Sequence, residues 1–497
     1  MNLTIREIAE VCGGELKAVE SGCVVDASQA KYDELVSRKV SGVVLDSRRV
    51  TPGAVFVATV GERVDGHRFI GDVFAKGAAF VITENSPETV ERECGVRTDS
   101  WGSYCLVENS LQALRELAEY YRGKLTIPVV GITGSVGKTS TKEFIAGVLA
   151  QKYRVLKTEG NFNNEIGVPL TLLRITEETE AAVVEMGISD FGEMHRLSKM
   201  ARPDICVITN IGQCHLENLK TRDGILQAKS EIFDFMQPDG QVCLFGGDDK
   251  LITVEKVERN GRSFVPHFFG LGETDREEVY ADEIVSRGLW GSDTVLHLAD
   301  GSKFSVKVPL PGKHMVVNAA AAACVGGLLG LQPQQIREGI EKVTSVSGRS
   351  NLIQTDWGTL IDDCYNANPV SMKAALDLLA LADTERTAIL GDMFELGDNS
   401  DAMHASVGEY AVDCEIDRIL CVGENSVHMY NAAVARRAAA GASKEHIGIW
   451  YFENIEMLMT ALAEQKEALI PNGSTVLIKA SHGMHFEKIL SSIAPCF

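Results

Sequence analysis

Short apolar runs rich in β-branched residues recur along the chain, and between them stand longer stretches whose apolar residues fall at helical spacing. The clearest pair is IPVVGIT from Ile127, which reads as a buried parallel strand, and TSTKEFIAGVLAQKY, where Phe144, Ile145, Val148 and Leu149 share one helix face. AAVVEM at Ala181, DICVITNI at Asp204 and QVCLF at Gln241 read as further buried strands, with LQALRELAEYYR leading in as a helix. This alternation predicts a central, doubly wound parallel sheet over residues 109–346. Before it, VVLDS from Val43, AVFVATV from Ala54 and AAFVIT from Ala78 alternate with polar turns and predict a small α/β domain over 1–108. After it, TLIDD, a helix from Val370, TAILGD, a helix from Ala402, RILCVG, GIWYF, a helix from Ile455, TVLIKAS and a last helix predict a Rossmann-like α/β domain over 347–497. The expected fold class is therefore α/β in three domains, with no internal repeat.

Bulk properties narrow this picture. A chain of 497 residues is too long for one core, and 45% hydrophobic with 24% charged residues is an ordinary globular balance. A formal net charge of −21 argues against a nucleic-acid footprint, although Arg48, Arg49, Arg63 and Arg68 crowd one N-terminal stretch where an anionic ligand could sit. The 12 cysteines include no C-x-x-C pair, so reduced, packed thiols in a cytoplasmic protein are expected rather than a zinc or disulfide frame. The start, MNLTIREIAEVCGG, carries acidic residues and does not read as a signal peptide. The longest apolar run, Met315 to Leu331, is Ala- and Gly-rich, is broken by Asn318 and falls short of the roughly 18 residues of a membrane span, so a buried helix is expected.

Candidate chemistry centres on GITGSVGKTST. Gly131, Gly137, Lys138 and Thr139 satisfy every fixed position of G-x-x-x-x-G-K-[ST], in the strand–loop–helix context that template requires. The backbone of Gly134, Ser135, Val136, Gly137 and Ser140 would close around phosphate at a helix N-terminus. Lys138 would reach the β- and γ-phosphates, and Thr139 would put its hydroxyl on Mg²⁺. Ligands in such sheets gather beyond the strand ends, where Glu185, Asn210 and His215 collect, and where GNFNNEIG brings Asn161, Asn163 and Asn164. Glu185 is a hard oxygen ligand suited to Mg²⁺. Lys229, in AKSEIFDF, makes little sense as a plain lysine beside a cation, and a surface salt bridge with Glu231 or Asp234 is the favoured explanation from the residues alone. Asp46-Ser47-Arg48 and the Asp65–Phe69 segment could hold a phosphate or a uracil edge, and turn polarity alone would also explain them. Asp362, Asp363, Asp392, Lys479 and Ser481 end strands of the last domain.

GITGSVGKTSTKE, EGNFNNEIGVPLTLL, AVVEMGIS, ARPDICVITNIGQCHLENL and AKSEIFD, in that order and at close spacing, resemble the central domain of the Mur ligases. The DSR triplet, GERVDGHRFI and GDMFELG extend the resemblance across essentially the whole chain. It implies an ATP-dependent ligase that joins D-Ala-D-Ala to the peptide carboxylate of UDP-N-acetylmuramoyl-tripeptide, the last cytoplasmic step of peptidoglycan precursor synthesis, working as a monomer with two Mg²⁺ ions. Residue by residue it implies Lys138 at the γ-phosphate, Thr139 at the first Mg²⁺, Glu185 between ATP and the acceptor carboxylate, and His215 at the second Mg²⁺. Lys229 takes the position of a lysine that becomes carbamylated, which turns it into an anionic ligand. The resemblance further implies Asn318 and His314 at adenine, Arg349 and Asp363 closing over the nucleotide, and a uridine diphosphate site at Asp46, Ser47, Arg48, Asp65, His67 and Phe69. Of Asn163 and Asn164, which are also matched to the UDP substrate, the register favours Asn164. Two departures stand out: Met315 where an asparagine is usual, and Lys479-Ala480-Ser481-His482 where K-G-S-R is usual. A sister Mur ligase, a folylpolyglutamate synthase-like enzyme and a nucleotide-gated scaffold are the alternatives.

Overall fold

The computed structural model describes residues 1–494 except 21, 62, 63, 260 and 349. Three large sheets organise these residues, beside two small two-stranded ones. The first has five strands, in the order Glu15–Lys17, Tyr104–Leu106, Phe80–Thr83, Val55–Val57, Val43–Val44; all neighbours are parallel except the first pair. Its strands Val55–Val57 and Phe80–Thr83 are buried along their whole length, which is why they read as unbroken apolar runs.

The central sheet has nine strands. Val129–Thr133 lies between Ile205–Ile208 and Ala181–Glu185, in parallel register with both, so the phosphate-loop strand is interior, third from one edge of the sheet. Helix Lys138–Leu149 covers one face and packs on helices Lys313–Leu328 and Pro333–Glu341. The parallel part matches the expectation. The sheet then continues into an antiparallel meander, Glu277–Ser286, Ser292–His297 and Lys303–Val308, which the sequence pattern did not announce. Charges obscure the alternation there. Glu277 sits at a buried position because its carboxylate accepts hydrogen bonds from the Gly272 and Glu273 amides and the Thr274 hydroxyl. The apolar run around Asn318 forms one unbroken helix, Lys313–Leu328, and no described helix is long and apolar enough to cross a membrane.

The third sheet has six strands, Asn351–Gln354, Thr359–Asp362, Thr475–Lys479, Arg386–Gly391, Arg418–Val422 and Gly448–Phe452, parallel except for the first pair. The helices expected from Val370, Ala402 and Ile455 are Pro369–Leu379, Ser400–Asp413 and Ile455–Leu469. A further helix, Ser426–Ala440, escaped the sequence pattern because its inner face is reduced to Ser426, Met429 and Ala433.

Candidate active site

The strand Val129–Thr133 ends in the loop 134–137, and Gly137, at φ +84°, turns the chain into helix Lys138–Leu149. Gly134 has φ +149°, and a Cβ added there would stand 1.9 Å from Thr209 Oγ1. Only glycine fits this close approach. The end of the adjacent strand props the loop. The Ser135 amide donates to the Asn210 carbonyl (3.1 Å) and the Val136 amide to Asn210 Oδ1 (3.0 Å), while the Thr209 hydroxyl (2.6 Å) and Asn210 Nδ2 (3.0 Å) donate to the Val136 carbonyl. Lys138 Nζ donates to the Gly134 carbonyl at 2.7 Å, so the ammonium lies over the loop.

Glu185, at the end of Ala181–Glu185, is buried with its carboxylate against this loop. Oε2 accepts from the Thr139 hydroxyl at 2.9 Å, and Oε1 accepts from Asn163 Nδ2 at 2.8 Å. Asn164 instead caps the turn that follows, accepting from the Ile166 (3.1 Å) and Gly167 (2.9 Å) amides. Lys142, one turn beyond Lys138, reaches the same carboxylate, with Nζ 3.7 Å from Oε2. Asn318 is buried behind the loop, its Oδ1 accepting from the Thr141 hydroxyl at 2.9 Å and lying beside Gly137. The Met315 sulfur stands 3.5 Å from Asn318 Nδ2.

A cavity of about 900 Å³ opens over the loop. Its wall includes Ser135, Val136, Gly137, Lys138, Ser140, Asn163, Asn164, Glu185, His215, His314 and Asn318, with Asp363 and Lys479 from the third sheet opposite. Phe245 and Phe269, stacked at 6.1 Å, give it an apolar side. Asp363 is fixed by Lys479 Nζ (2.7 Å) and by the Ser350 amide (2.9 Å). A second cavity of about 270 Å³ continues past Lys138 and His215 to Glu395, Ser481 and His482. Across it His215 Nδ1 lies 2.8 Å from Glu395 Oε2, a contact that holds the Glu395 carboxyl below its usual pKa. Both residues have positive φ, 52° and 60°, an uncommon backbone for non-glycine residues.

Lys229 lies within helix Arg222–Ser230 and is buried, which removes the surface salt-bridge explanation. Burial pushes its pKa down from 10.5 to about 8, and the nearby Lys138 charge adds to the drop. Among the described residues no group of three or more His, Cys, Asp and Glu side chains is placed to hold a metal. A hydroxyl and one carboxylate at the phosphate loop do suit Mg²⁺, which takes few protein ligands and fills its shell with phosphate oxygens and water. Thr139 and Glu185 meet that requirement, and the lysine form of Lys229 does not.

The structure does not bring the N-terminal candidates into this cleft. Asp46 caps the short helix Ser47–Arg49, and Arg48 Nε and Nη2 pair with it, driving the Asp46 pKa down to about 2. Asp65 caps Gly66–Phe69 in the same way. His67 departs from the expectation of a ligand contact: its ring is fully buried, with Nδ1 on Asp65 Oδ1 at 2.7 Å, so it braces Asp65 from behind. Phe69 is half-buried on the same turn, and Arg349 lies outside the described residues. Sequence reasoning missed Lys142 and Glu395. Lys142 was within reach of it, because i+4 from Lys138 on one helix is the same face.

Family models match along all three sheets: "Mur ligase family, catalytic domain" over residues 39–122, "Mur ligase middle domain" over 132–326 and "Mur ligase, glutamate ligase domain" over 348–482. A UDP-N-acetylmuramoyl-tripeptide–D-alanyl-D-alanine ligase from Bacillus subtilis (strain 168) is 35% identical, the alignment covering 99% of this chain and 98% of the relative. The crystal structure of MurF from Acinetobacter baumannii superposes with a TM-score of 0.82 at 29% identity, covering 99% of each chain. MurF ligase from Thermotoga maritima, solved in complex with ADP, gives 0.71 at 29% identity, covering 90% of this chain and 96% of that one. With its parts matched in order and a relative at this identity spanning nearly its full length, the chain belongs to the Mur ligase family.

Proposed function

We propose that this protein joins D-alanyl-D-alanine to the terminal peptide carboxylate of UDP-N-acetylmuramoyl-tripeptide, with ATP cleaved to ADP and phosphate, in the cytoplasmic assembly of the peptidoglycan precursor. The observation that carries the reading is the convergence of Lys138, Thr139 and Glu185 at the end of the central strand, facing Asp363 and Lys479 across one cleft. The relatives named for this reaction align over nearly the full length of the chain.

A carboxylate is a poor acyl donor, because its leaving group would be oxide. Transfer of the γ-phosphoryl group to a carboxylate oxygen gives an acyl phosphate and releases ADP. The dipeptide amine then attacks the carbonyl carbon, its proton goes to solvent, and phosphate departs as the amide forms. The loop amides and Lys138 hold the transferring group, and Glu185 with Asn163 orients the acceptor side. Mg²⁺ held at Thr139 and Glu185 would supply charge neutralisation when bound, with His215 serving a second ion. Lys229 fits a carbamate. Its lowered pKa leaves more free amine at neutral pH to add to CO₂, forming an N–C bond and releasing a proton to solvent, and the resulting anion suits a cationic neighbourhood. Asn318 and His314 are assigned to the adenine end, with Arg349 and Asp363 closing over the nucleotide. Asp46, Ser47, Arg48, Asp65 and Phe69 are assigned to the uridine diphosphate end, with His67 behind them. The same reading assigns the three functions to 1–108, 109–346 and 347–497 of a monomer.

The test is ADP release with a panel of UDP-N-acetylmuramoyl-tripeptides carrying lysine or diaminopimelate, each with D-Ala-D-Ala, single amino acids or a folate. Multiple-turnover ADP release should require a tripeptide and the dipeptide together, and Lys138→Ala should lower turnover about 10²- to 10³-fold. Near-normal turnover of that variant, or ADP release driven by the folate or by a single amino acid, would refute the reading.

A further inference from the structure

Lys142 is among the largest wholly buried side chains of the protein, and the phosphate-loop chemistry described above makes no use of it. Its ammonium donates to the Thr158 carbonyl at 2.7 Å and lies 3.4 Å from Glu143 Oε1 and 3.7 Å from Glu185 Oε2. Thr158 is tied to the same carboxylate residue from the other side, its hydroxyl accepting from the Glu185 amide at 3.0 Å. The cluster therefore clamps Glu185 at both ends: the backbone through Thr158, the carboxylate through Thr139, Asn163 and Lys142. A buried carboxylate with only two neutral donors would be poorly compensated, and Lys142, which Glu143 also balances, sets a cation beside it.

We propose that Lys142 is a positioning residue for the ligase reaction. It acts through Glu185, holding Oε2 toward Thr139 and the nucleotide while Oε1 stays on Asn163 and the acceptor side. The Lys138–Thr139–Lys142 spacing lets one helix carry the phosphate contact, the metal-facing hydroxyl and the residue that aims the neighbouring strand's carboxylate. Outer partners of this kind typically contribute 10- to 100-fold to metal affinity or activity.

The inference rests on the nucleotide reading of the loop, and binding separates the two. ADP is titrated calorimetrically into the full-length protein with and without MgCl₂, for wild type, Lys142→Met and Lys142→Gln. The glutamine keeps an N–H donor one bond short of the lysine's, so comparing it with methionine separates loss of a donor from loss of the charge. Wild type should bind ADP more tightly when Mg²⁺ is added; both variants should lose about 10- to 100-fold of that gain, while ADP affinity without Mg²⁺ stays the same. In turnover assays kcat should fall and the KM for ATP hold. In a Glu185→Gln background, Lys142→Gln should cost less than about 3-fold, because its route of action is gone. An unchanged Mg²⁺ gain, an enlarged one, or losses that multiply in the double variant would overturn the proposal. Absence of any Mg²⁺-dependent ADP binding in wild type would overturn the nucleotide reading with it.

Discussion

Replacing Lys229 with methionine is expected to make the protein more stable and at the same time inactive. The side chain is buried, and burial, helped by the Lys138 charge, brings its pKa from 10.5 to about 8. At pH 7 folded and unfolded chains both carry the proton, so the fold bears the full cost of the buried charge, about 3 kcal/mol. Between pH 8 and 10.5 the folded chain has released a proton that the unfolded chain still binds, so stability rises with pH across that window. Methionine fills a similar volume without the charge. In CO₂-free buffer at pH 7, Lys229→Met should therefore be about 3 kcal/mol more stable than wild type, and the gap should shrink to about 1 kcal/mol at pH 10. In scanning calorimetry, the transition that melts the central sheet should rise by about 6–12 °C at pH 7. Bicarbonate should move wild type toward the variant and leave the variant unmoved, because only wild type has an amine to convert. Ligase turnover should be lost in the variant, and short carboxylates should partly restore it in Lys229→Ala, where space is left. Equal melting of the two proteins at pH 7, or a gap that does not change with pH, would refute the argument that burial penalises this amine.

Two further perturbations follow from the loop and the interface. Gly134→Ala should push the loop off Thr209 and weaken ADP binding by about 10²-fold with a loss of 1–3 kcal/mol in stability, read by calorimetry and chemical denaturation; retained ADP affinity would count against the close approach. Glu395→Gln keeps the shape of the contact and removes the charge facing His215. It should reduce turnover about 10-fold with ADP affinity unchanged, and equal turnover would show the pair to be incidental.

Much of this was legible before any coordinates. The loop Gly131–Thr139 carries its own context, and wholly buried parallel strands such as Val129–Thr133 and Ala181–Glu185 leave an unbroken apolar record. The meander at Glu277–Ser286 was hidden because Glu277 is buried by backbone amides, a compensation invisible in residue type. Helix Ser426–Ala440 was hidden by an alanine-rich face. The residues around Lys229 favoured a surface salt bridge, only the family resemblance spoke for a functional lysine, and burial decided against the surface pair. Glu395 stands within GDMFELG, but its pairing could not be read, since its meeting with His215 joins segments far apart in sequence, each in a backbone conformation that side-chain pattern does not encode.

The brace that Thr209 and Asn210 give the phosphate loop has a thermodynamic consequence. Four bonds from a neighbouring strand end fix the cradle during folding, so its conformational freedom is surrendered then and not when a nucleotide arrives. Capture of ATP becomes a lock-and-key event for this part of the molecule, and induced fit is left to the parts that must bring two other substrates together.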